Sequence, residues 1–477
     1  MSYLTFLQLI EDLKEYSQEE IAVIEKAYDL ACDLHSGQYR DSGEPYIIHP
    51  LSVAFTLAQM RADVNTICAG LLHDVVEDTN ISLEEISRLF NKEVATLVDG
   101  VTKISFSSKQ EERLVNHRKI ITSIIQDVRI VIIKLADRLH NMQTLNFKKS
   151  VKQQEKSLET MEIYVPLAQY IGAYDIKNEL EDLSLKYLKP DKYQEIVDWK
   201  LEIEEKSQDI LKEMIYKISK LLNDKNINHV VKLWIKNIYG IYQDLEKQKK
   251  PVEIHDLLAL KLLVETVENC YLTLGLVHSL YRPIDGRFKD YISNQKTNLY
   301  QSLHTTVFAP SDWLVQAQIR TFDMEKVNMH GLTAYWELNK GTARDVMQQE
   351  LRHKMQFYRS LQAIDSMFSE NHDFLWIVKN ELFSDKIYVY TTEGDYIELP
   401  KGSTPIDFAY KIHTEVGNTM IKAIVNEEIV DIDYVLQDKD RVKIVTSKDV
   451  VLNKEGWEKI ATTPYARRKI REFNRKR

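Results

Sequence analysis

A histidine and an aspartate stand side by side in the run Leu-Leu-His-Asp-Val-Val-Glu-Asp-Thr, residues 71–79. If this run is helical, Glu77 lies one turn beyond His73, and Asp78 lies one turn beyond Asp74. One imidazole and three carboxylates would then crowd a single surface. Such a concentration of negative charge requires a cation.

A divalent metal ion is the cation that the surrounding sequence favours. The chain has no Lys or Arg over residues 62–87, so the acidic run lacks nearby salt-bridge partners. Two other segments offer ligands, since Gly-Glu-Pro-Tyr-Ile-Ile-His-Pro contains His49 and Lys-Leu-Ala-Asp-Arg-Leu-His-Asn-Met contains Asp137. The predicted metal ligands are therefore His49, His73, Asp74 and Asp137.

The chemistry of this ligand set indicates phosphoester hydrolysis. Two imidazoles and two carboxylates without a thiolate suit Mn²⁺, with Zn²⁺ or Fe²⁺ as alternatives and Mg²⁺ disfavoured by the imidazoles. Four protein ligands leave positions open for water and substrate. A bound metal makes its water more acidic, and Glu77 with Asp78 are the predicted acidic pair that holds or deprotonates that water for attack on phosphorus.

A simpler explanation exists for each residue taken alone. His49 and His73 could be core histidines with satisfied hydrogen bonds, and the acids could form a solvated helix end. The complete set favours the metal. His140, one turn beyond Asp137, is expected to pack or bond behind the ligands rather than to bind the ion.

This signature resembles the HD hydrolase domain of the long RelA/SpoT homologues, the (p)ppGpp synthetase/hydrolases, and the resemblance continues over essentially the whole chain. It implies that the four predicted ligands bind Mn²⁺ and that Glu77 and Asp78 are catalytic. It also implies that Arg40 and Asn141 contact the nucleotide. Asp41 departs from the family, in which a basic residue usually follows that Arg, so the guanine side of the pocket is expected to differ. The implied reaction converts (p)ppGpp and water to GDP or GTP and pyrophosphate.

A second group of polar side chains follows Gly-Arg-Phe-Lys-Asp-Tyr-Ile, residues 286–292. It consists of Lys296, Asn298, Tyr300, Gln301, Ser302 and His304. Cations there could hold a polyphosphate and a Tyr ring could stack on a purine, although a solvated basic loop is the alternative. The resemblance implies a ppGpp synthetase site, with Lys289, Asp290 and Lys296 near phosphates. Tyr300 would lie against guanine.

The synthetase reaction transfers pyrophosphate from ATP to the 3′-hydroxyl of GDP or GTP, with Mg²⁺ and a carboxylate base. The family supplies an Asp and a Glu on neighbouring strands. Asp256 matches the Asp, whereas Gln316 in the strand Trp-Leu-Val-Gln-Ala-Gln-Ile-Arg-Thr occupies the position of the Glu. An amide is neutral and is not a base at pH 7.

Further departures from the family concern the phosphate-binding side. Lys236 and Tyr239 match, but the departures are Trp234 for an Arg, Gly240 for a Ser, Asp244 for a basic residue and Lys261 for an Arg. Contacts of this kind are each worth roughly 3 kcal/mol of transition-state stabilisation. The prediction is a weak or silent synthetase domain, retained as a structural or nucleotide-sensing part, with GDP or GTP as its ligand and Mg²⁺ needed only for residual synthesis.

Composition narrows the class of protein. With 477 residues and 44% hydrophobic content the chain can form several cores, and its net charge of −9 restricts nucleic-acid contact to local patches. The N-terminus lacks an apolar signal region and no long apolar run predicts a membrane span, so a cytoplasmic location is expected. Cys32, Cys68 and Cys270 lack metal-binding spacing and are expected to be small buried hydrophobes.

Changes of hydrophobic period divide the chain into regions of different fold class. We predict a multidomain α plus α/β protein, with an all-helical HD hydrolase domain, a mixed-sheet nucleotidyltransferase-like domain and a small β-grasp-like module. The predicted boundaries are 1–195 for the hydrolase domain, 196–340 for the (pseudo)synthetase domain, 341–384 for a helical connector, 385–447 for the small module and 448–477 for the start of a C-terminal helical region.

The small module resembles a TGS domain, most specifically in Asp-Phe-Ala-Tyr-Lys-Ile-His-Thr, residues 407–414. The resemblance implies that His413 faces tRNA, although a packing role is equally open. The basic stretch 465–477 could face RNA or could be a solvated helix. A tRNA, a ribosome or a regulatory protein is the implied partner. Long family members continue into further domains, so a natural or engineered truncation is one expectation.

Three functions of different classes therefore remain. The first is a metal-dependent (p)ppGpp hydrolase, which the complete ligand set favours. The second is a bifunctional synthetase/hydrolase, against which Gln316 argues. The third is a tRNA- or ribosome-binding stress sensor with little catalysis.

Overall fold

The computed structural model describes residues 16–104, 108–247, 254, 256–293, 300–331, 356–367, 370–383, 386–447 and 456–475. The chain divides into two compact units, Met1–Ser107 with Lys119–Tyr358 and Ser108–Arg118 with Arg359–Arg477. Within the described residues, no helix combines the length and apolar character needed to cross a membrane.

The N-terminal part of the chain is helical, and residues Ser108–Arg118 of this part belong to the second unit. Its helices are α1 (Gln18–Leu34), α2 (Ile48–Gln59), α3 (Val64–Leu71), α4 (Val75–Asp78), α5 (Leu83–Leu89), α6 (Lys92–Val101), α7 (Lys109–Gln126), α8 (Val128–Gln143), α9 (Ser150–Glu159), α10 (Val165–Ile171), α11 (Tyr174–Leu188) and α12 (Pro190–Asp224).

Local sequence sets where several of these helices begin. Ser17 and Ser82 each start a helix with a capping box. The hydroxyl of each Ser accepts from the backbone N–H three residues on, and the side chain of the Glu at that position accepts from the backbone N–H of the Ser. Asp127 caps α8 in the same position. Helix α8 is buried on nearly every side, and this places its polar residues inside the helical domain.

A five-stranded mixed sheet follows α12 in the first unit. Its elements are β1 (His229–Ile235), α13 (Ile238–Glu246), β2 (Leu258–Val264), α14 (Val267–Leu280), β3 (Lys289–Asp290), β4 (Leu303–Phe308), β5 (Leu314–Thr321) and α15 (Phe322–His330). The strand order is β1-β2-β5-β4-β3, with β2 and β5 parallel and the other pairs antiparallel. Strand β2 is almost wholly buried, as its run Leu-Ala-Leu-Lys-Leu-Leu-Val predicts for a central strand.

The second unit contains helices and a separate five-stranded sheet. Its elements are α16 (Gln356–Met367), α17 (Asn371–Ile377), β6 (Lys386–Thr391), β7 (Tyr396–Pro400), α18 (Pro405–Ile412), α19 (Thr414–Thr419), β8 (Met420–Val425), β9 (Glu428–Val430), β10 (Arg441–Thr446), α20 (Trp457–Ile460) and α21 (Pro464–Arg475). The strand order is β7-β6-β10-β8-β9. Strands β6 and β7 form a hairpin, and Gly394 takes the positive φ of 95° that its turn requires. The predicted fold class is confirmed.

Candidate functional site

The loop before α2 and the first turn of that helix position two of the predicted site residues, Arg40 and His49. Gly43, at a φ of +82°, turns the chain so that the N–H of Arg40 bonds to the carbonyl of Glu44. His49 follows in the first turn of α2, where its side chain is buried. Its Nδ1 lies 2.9 Å from Nδ1 of His140, which leaves Nε2 directed to the acids.

His73 and Asp74 lie in a turn between two helices. The run 71–79 is not one helix, because α3 ends at Leu71 and the short α4 begins at Val75. Gly70 lets α3 approach α2 closely, since a Cβ there would lie 2.4 Å from Cδ1 of Leu57. Nδ1 of His73 bonds to the carbonyl of Gly70 at 2.8 Å. Its Nε2 is therefore the nitrogen that is left for a metal.

The four predicted ligands meet in one buried cluster. Nε2 of His73 lies 3.2 Å from Oδ2 of Asp74 and 4.0 Å from Oδ1 of Asp137. Nε2 of His49 lies 3.5 Å and 3.3 Å from the same two oxygens. Ligand atoms of His49, His73 and Asp74 all lie within 4.8 Å of one another, as one divalent ion requires.

The donor chemistry of the cluster fits a divalent metal. Nε2 of His73 is buried without a hydrogen-bond partner, an expensive state for a polar atom unless it is a ligand. Burial lowers the pKa of His49, which favours the neutral imidazole that coordinates metals. Burial also opposes charge on His73, but the adjacent Asp74 prevails and raises the pKa of His73. The same pair lowers the pKa of Asp74, so its carboxylate is available.

The proposed acidic pair is held by two side chains from elsewhere in the chain. Glu77 accepts the backbone N–H of Lys103 at 2.6 Å and the Lys103 ammonium at 3.3 Å. The hydroxyl of Tyr46 lies 2.8 Å from Oδ2 of Asp74 and 2.8 Å from Oδ2 of Asp78. The Tyr46 hydroxyl carries a single proton, so it can donate fully to only one of these oxygens at a time. The Tyr46 hydroxyl thereby links Asp78 to Asp74, one of the predicted metal ligands.

Sequence reasoning missed these two residues. Tyr46 had a usable signal, because it stands three residues before His49, in the turn that precedes the same helix. Lys103 had none, since only the fold returns the end of α6 to the acidic run. The acidic run has no salt-bridge partner nearby in sequence, but the fold brings Lys103 to Glu77, so the expectation that this acid is unpaired needs correction. Lys134 also lies 3.4 Å from Asp137.

The predicted nucleotide contacts flank the cluster. A guanidinium nitrogen of Arg40 donates to Oδ1 of Asn141 at 2.9 Å, and Asn141 in turn donates to Asp137. Another nitrogen of Arg40 lies 3.3 Å from His140. Asp41, the departure from the family, forms an ion pair with Lys148 at the surface. Arg40 and Asn141 are thus connected to the predicted metal ligands, and their contact with a nucleotide stays a prediction.

The second predicted site lies on the mixed sheet. Gln316 pairs with Ala259 across β2 and β5, and Oε1 of Gln316 accepts from the amide of Gln318 at 2.8 Å. Asp256 stands just before β2, where both of its oxygens contact the Lys236 ammonium. The amide of Gln316 and the ion-paired carboxylate of Asp256 therefore stand where the family pattern has two free carboxylates.

The predicted guanine side of this second site is partly described. Lys289 and His304 pair across β3 and β4, and Nε2 of His304 lies 2.7 Å from the hydroxyl of Tyr300. The guanidinium of Arg320 lies 5.4 Å from the centroid of the Tyr300 ring. Tyr174 of α11 meets the same ring edge-on, with centroids 6.0 Å apart. Lys296 and Asn298 lie outside the described residues.

His413 ends α18 and starts α19. Its Nδ1 accepts the backbone N–H of Glu415 at 3.2 Å, so the residue caps a helix while its side chain stays exposed. Several cations of α21 are engaged locally, since Arg471 pairs with Glu458 and Lys469 pairs with Glu472. Contact with tRNA stays a prediction for His413.

Comparisons with known proteins identify three family domains along the chain. Three family models match: the HD domain over residues 27–174, the region found in RelA / SpoT proteins over residues 234–343, and the TGS domain over residues 387–446. Together they cover the helical domain, the mixed sheet and the second sheet.

Similar proteins extend over almost the whole chain. The guanosine-3′,5′-bis(diphosphate) 3′-pyrophosphohydrolase of Aquifex aeolicus is 40% identical over 481 residues, covering 100% of this chain and 68% of the relative. The bifunctional (p)ppGpp synthase/hydrolase SpoT of Escherichia coli is 38% identical over 477 residues, covering 98% and 67%. The GTP pyrophosphokinase of Myxococcus xanthus is 39% identical over 461 residues, covering 95% and 60%. The chain thus spans about two thirds of the length of these relatives. By its domains and by these relatives, the chain belongs to the long RelA/SpoT family.

Proposed function

We propose that the chain hydrolyses the 3′-pyrophosphate of (p)ppGpp, with Mn²⁺ at the His49, His73, Asp74 and Asp137 cluster. The observation that carries the proposal is the convergence of the buried Nε2 atoms of His49 and His73 on Oδ2 of Asp74 and Oδ1 of Asp137, at distances of 3.2 to 4.0 Å. The relatives named as 3′-pyrophosphohydrolases support the choice of substrate.

In the proposed reaction, a water oxygen bonds to the phosphorus attached to the ribose 3′-oxygen. The bond between that phosphorus and the 3′-oxygen breaks, so pyrophosphate and GDP or GTP are released. The water gives up one proton and the 3′-oxygen takes one up, so the proton count balances. A bound Mn²⁺ supplies Lewis-acid polarisation and a more acidic water.

The chain supplies the proton transfer and the orientation. Glu77 and Asp78 are the groups that accept the proton of the water, and positioned carboxylates of this kind contribute about 10²- to 10⁴-fold in rate. Lys103 fixes Glu77 with two hydrogen bonds, and Tyr46 fixes Asp78. Arg40 and Asn141 bind and orient the nucleotide beside them.

The proposal includes a weak or absent synthetase activity. Gln316 offers a neutral amide where a base is needed, and its oxygen already accepts from Gln318. Lys261 pairs with Glu325 at 3.2 Å, so its charge is partly neutralised. Trp234 brings no positive charge. GDP or GTP binding around Tyr300 is compatible with the loss of transfer.

The test is turnover of ppGpp labelled in its 3′-pyrophosphate, with Mn²⁺ and with a chelator. We expect release of labelled pyrophosphate that requires the metal and disappears in Asp74→Ala. The matched control is Asp29→Ala, which removes an exposed acid of α1 in the same domain. Turnover that persists in Asp74→Ala, or that ignores the chelator, would reject the assignment.

A further inference from the structure

The ammonium of Lys236 is enclosed by two carboxylates in the synthetase-like domain. Its Nζ lies 2.7 Å from Oδ2 of Asp244, 2.9 Å from Oδ1 of Asp256 and 2.8 Å from Oδ2 of Asp256. The side chain of Lys236 is 16% exposed and that of Asp244 is 7% exposed. We call these three residues the Lys236 triad.

The triad uses the full donor capacity of the lysine. An ammonium has three N–H donors and no acceptor, and three carboxylate oxygens stand within hydrogen-bond distance. Burial opposes the charge, but Asp244 and Asp256 prevail and raise the pKa of Lys236, so it remains an ammonium. No donor is left for a phosphate oxygen. Both oxygens of Asp256 accept from this same ammonium, and the Asp256 side chain is 42% exposed.

Two departures from the family pattern cooperate to make this arrangement. Asp244 provides the second carboxylate. Gly240 provides the space, because a Cβ at that position would lie 2.7 Å from Oδ1 of Asn237, 3.0 Å from Cε of Lys236 and 3.2 Å from its Cγ. A larger residue at 240 would press on the lysine chain that lies over the first turn of α13.

The start of α13 is itself fixed from the helical domain. Asp182 of α11 accepts the backbone N–H groups of Ile238 and Tyr239 at 3.2 Å and 2.8 Å, and it also accepts from the side chain of Asn237. A carboxylate at a helix N-terminus is favourable because it satisfies unpaired N–H groups. The support holds Gly240 and Asp244 in place around Lys236.

We infer that the Lys236 ammonium takes the place of the divalent cation in this domain, so that Asp256 binds no Mg²⁺. The residues present do not fit the metal that the family pattern implies, because the Lys236 ammonium lies 2.9 Å and 2.8 Å from the two Asp256 oxygens, in the position that an ion bound by both would take. The inference deepens the proposed loss of synthetase activity and does not depend on the hydrolase site. It also makes Asp256 and Asp244 a latent metal site: without the lysine, two adjacent carboxylates would carry a charge of −2 and would attract a divalent ion.

The test counts Mn²⁺ ions bound per chain, by titration followed with electron paramagnetic resonance of the free ion. All proteins carry Asp74→Ala, which removes the hydrolase metal. We expect no bound ion in this background. Adding Lys236→Met should create one site with a Kd on the order of 10⁻⁴ to 10⁻³ M. Adding Asp244→Asn to that variant should weaken the new site at least tenfold.

Two outcomes would overturn the inference. One is a bound ion in the Asp74→Ala background that disappears on adding Asp256→Asn. The other is a folded Lys236→Met variant, checked by circular dichroism, that gains no ion. If Lys236→Met does not fold, the comparison of Asp74→Ala with Asp74→Ala plus Asp256→Asn still decides. Hydrolysis by the unmodified chain is measured separately, so failure of the hydrolase proposal is distinguishable.

Discussion

The helical domain and the mixed-sheet domain each hold a cluster of acids that needs positive charge, and they obtain it differently. In the helical domain, Asp74 faces two imidazoles whose Nε2 atoms are directed toward the same carboxylates. In the sheet domain, Asp256 has an ammonium of the chain itself on both oxygens. The first arrangement leaves a place for a metal ion, whereas in the second the Lys236 ammonium occupies that place.

The difference shows that the identity of an acid does not decide its chemistry. Asp256 matches the family pattern as well as Asp74 does, yet Asp74 faces two imidazoles whereas both oxygens of Asp256 face one ammonium. The partner matters, because an imidazole that gives up its proton adds a ligand nitrogen, whereas an ammonium offers none. Lys103 and Lys134 approach the first cluster too, but they contact Glu77 and Asp137 and leave both histidines available.

The largest expected effect is at the proposed acid of the helical domain. Glu77→Gln removes a proton acceptor while keeping the shape of the side chain. We expect kcat for ppGpp hydrolysis to fall about 10²- to 10⁴-fold with Mn²⁺ affinity unchanged. Steady-state kinetics at saturating Mn²⁺ measure this. Glu84→Gln, at an exposed position of α5, should be silent, and a less than threefold change in Glu77→Gln would contradict the role.

The connection between the two domains can be broken at Gly331. This residue follows α15 with φ +61° and ψ −131°, and a Cβ there would lie 2.0 Å from the carbonyl oxygen of Ile171. Gly331→Ala should lower the free energy of unfolding by about 3 kcal/mol, through strain and the clash. Urea denaturation measures it.

A matched control isolates the contact with Ile171. Gly286→Ala also introduces a Cβ at positive φ, +72°, but nothing lies within 4 Å of it. It should therefore cost less than Gly331→Ala. Equal losses of stability in the two variants would show that backbone strain alone, and not the packing of the two domains, explains the effect.

Tyr46→Phe tests how the first cluster is held together. Removing the hydroxyl frees Asp78 from its link to Asp74, so we expect kcat to fall about tenfold, the loss associated with one hydrogen bond of about 1.4 kcal/mol. Tyr39→Phe, whose ring is 70% exposed in the preceding loop, is the control. An unchanged kcat in Tyr46→Phe would show that the Tyr46 hydroxyl does not position Asp78 for catalysis.

The pH dependence of Mn²⁺ binding should distinguish the clusters further. Burial opposes charge on His73, but the adjacent Asp74 raises its pKa, so the metal-free site keeps the His73 proton to a higher pH than an ordinary imidazole does, and Mn²⁺ must displace that proton where it is bound. That ion pair stabilises the metal-free fold below the ordinary pKa of His and is lost as pH rises through the raised value. The dissociation constant for Mn²⁺ should therefore increase on acidification, by up to about tenfold per pH unit for one displaced proton.

Calorimetry in two buffers of different ionisation enthalpy measures the proton released per Mn²⁺ bound. Asp74→Ala serves as the blank. A dissociation constant that is the same at pH 6 and pH 8 would contradict the proposed exchange of proton for metal. The rise in melting temperature caused by Mn²⁺ should likewise be smaller at pH 6 than at pH 8.

Sequence patterns predicted elements better than partners. The strand Trp-Leu-Val-Gln-Ala-Gln-Ile-Arg-Thr, which holds Gln316, is β5, because an apolar run is a local signal. The segment 71–79 was expected to be helical, but it breaks into a turn at His73, where hydrogen bonding to Gly70 fixes the ring.

The candidate sites divide in the same way. Residue types and spacing predicted the set that the fold brings together, His49, His73, Asp74 and Asp137. They could not predict the bonds of Lys103 and Lys236, because the partners of a long side chain depend on which residues the folded backbone brings within its reach. Asp244 was identified as a lost phosphate contact, and only the structure places it on Lys236.

The most direct test of the central claim compares the two reactions in one preparation. The same protein is given ppGpp with Mn²⁺, and separately ATP labelled in its terminal phosphate with GDP and Mg²⁺. The account predicts rapid release of pyrophosphate from ppGpp and no labelled ppGpp formed above background. Formation of ppGpp at a rate comparable to its hydrolysis would contradict the account, because a synthetase centre would then operate despite Gln316 and the Lys236 triad.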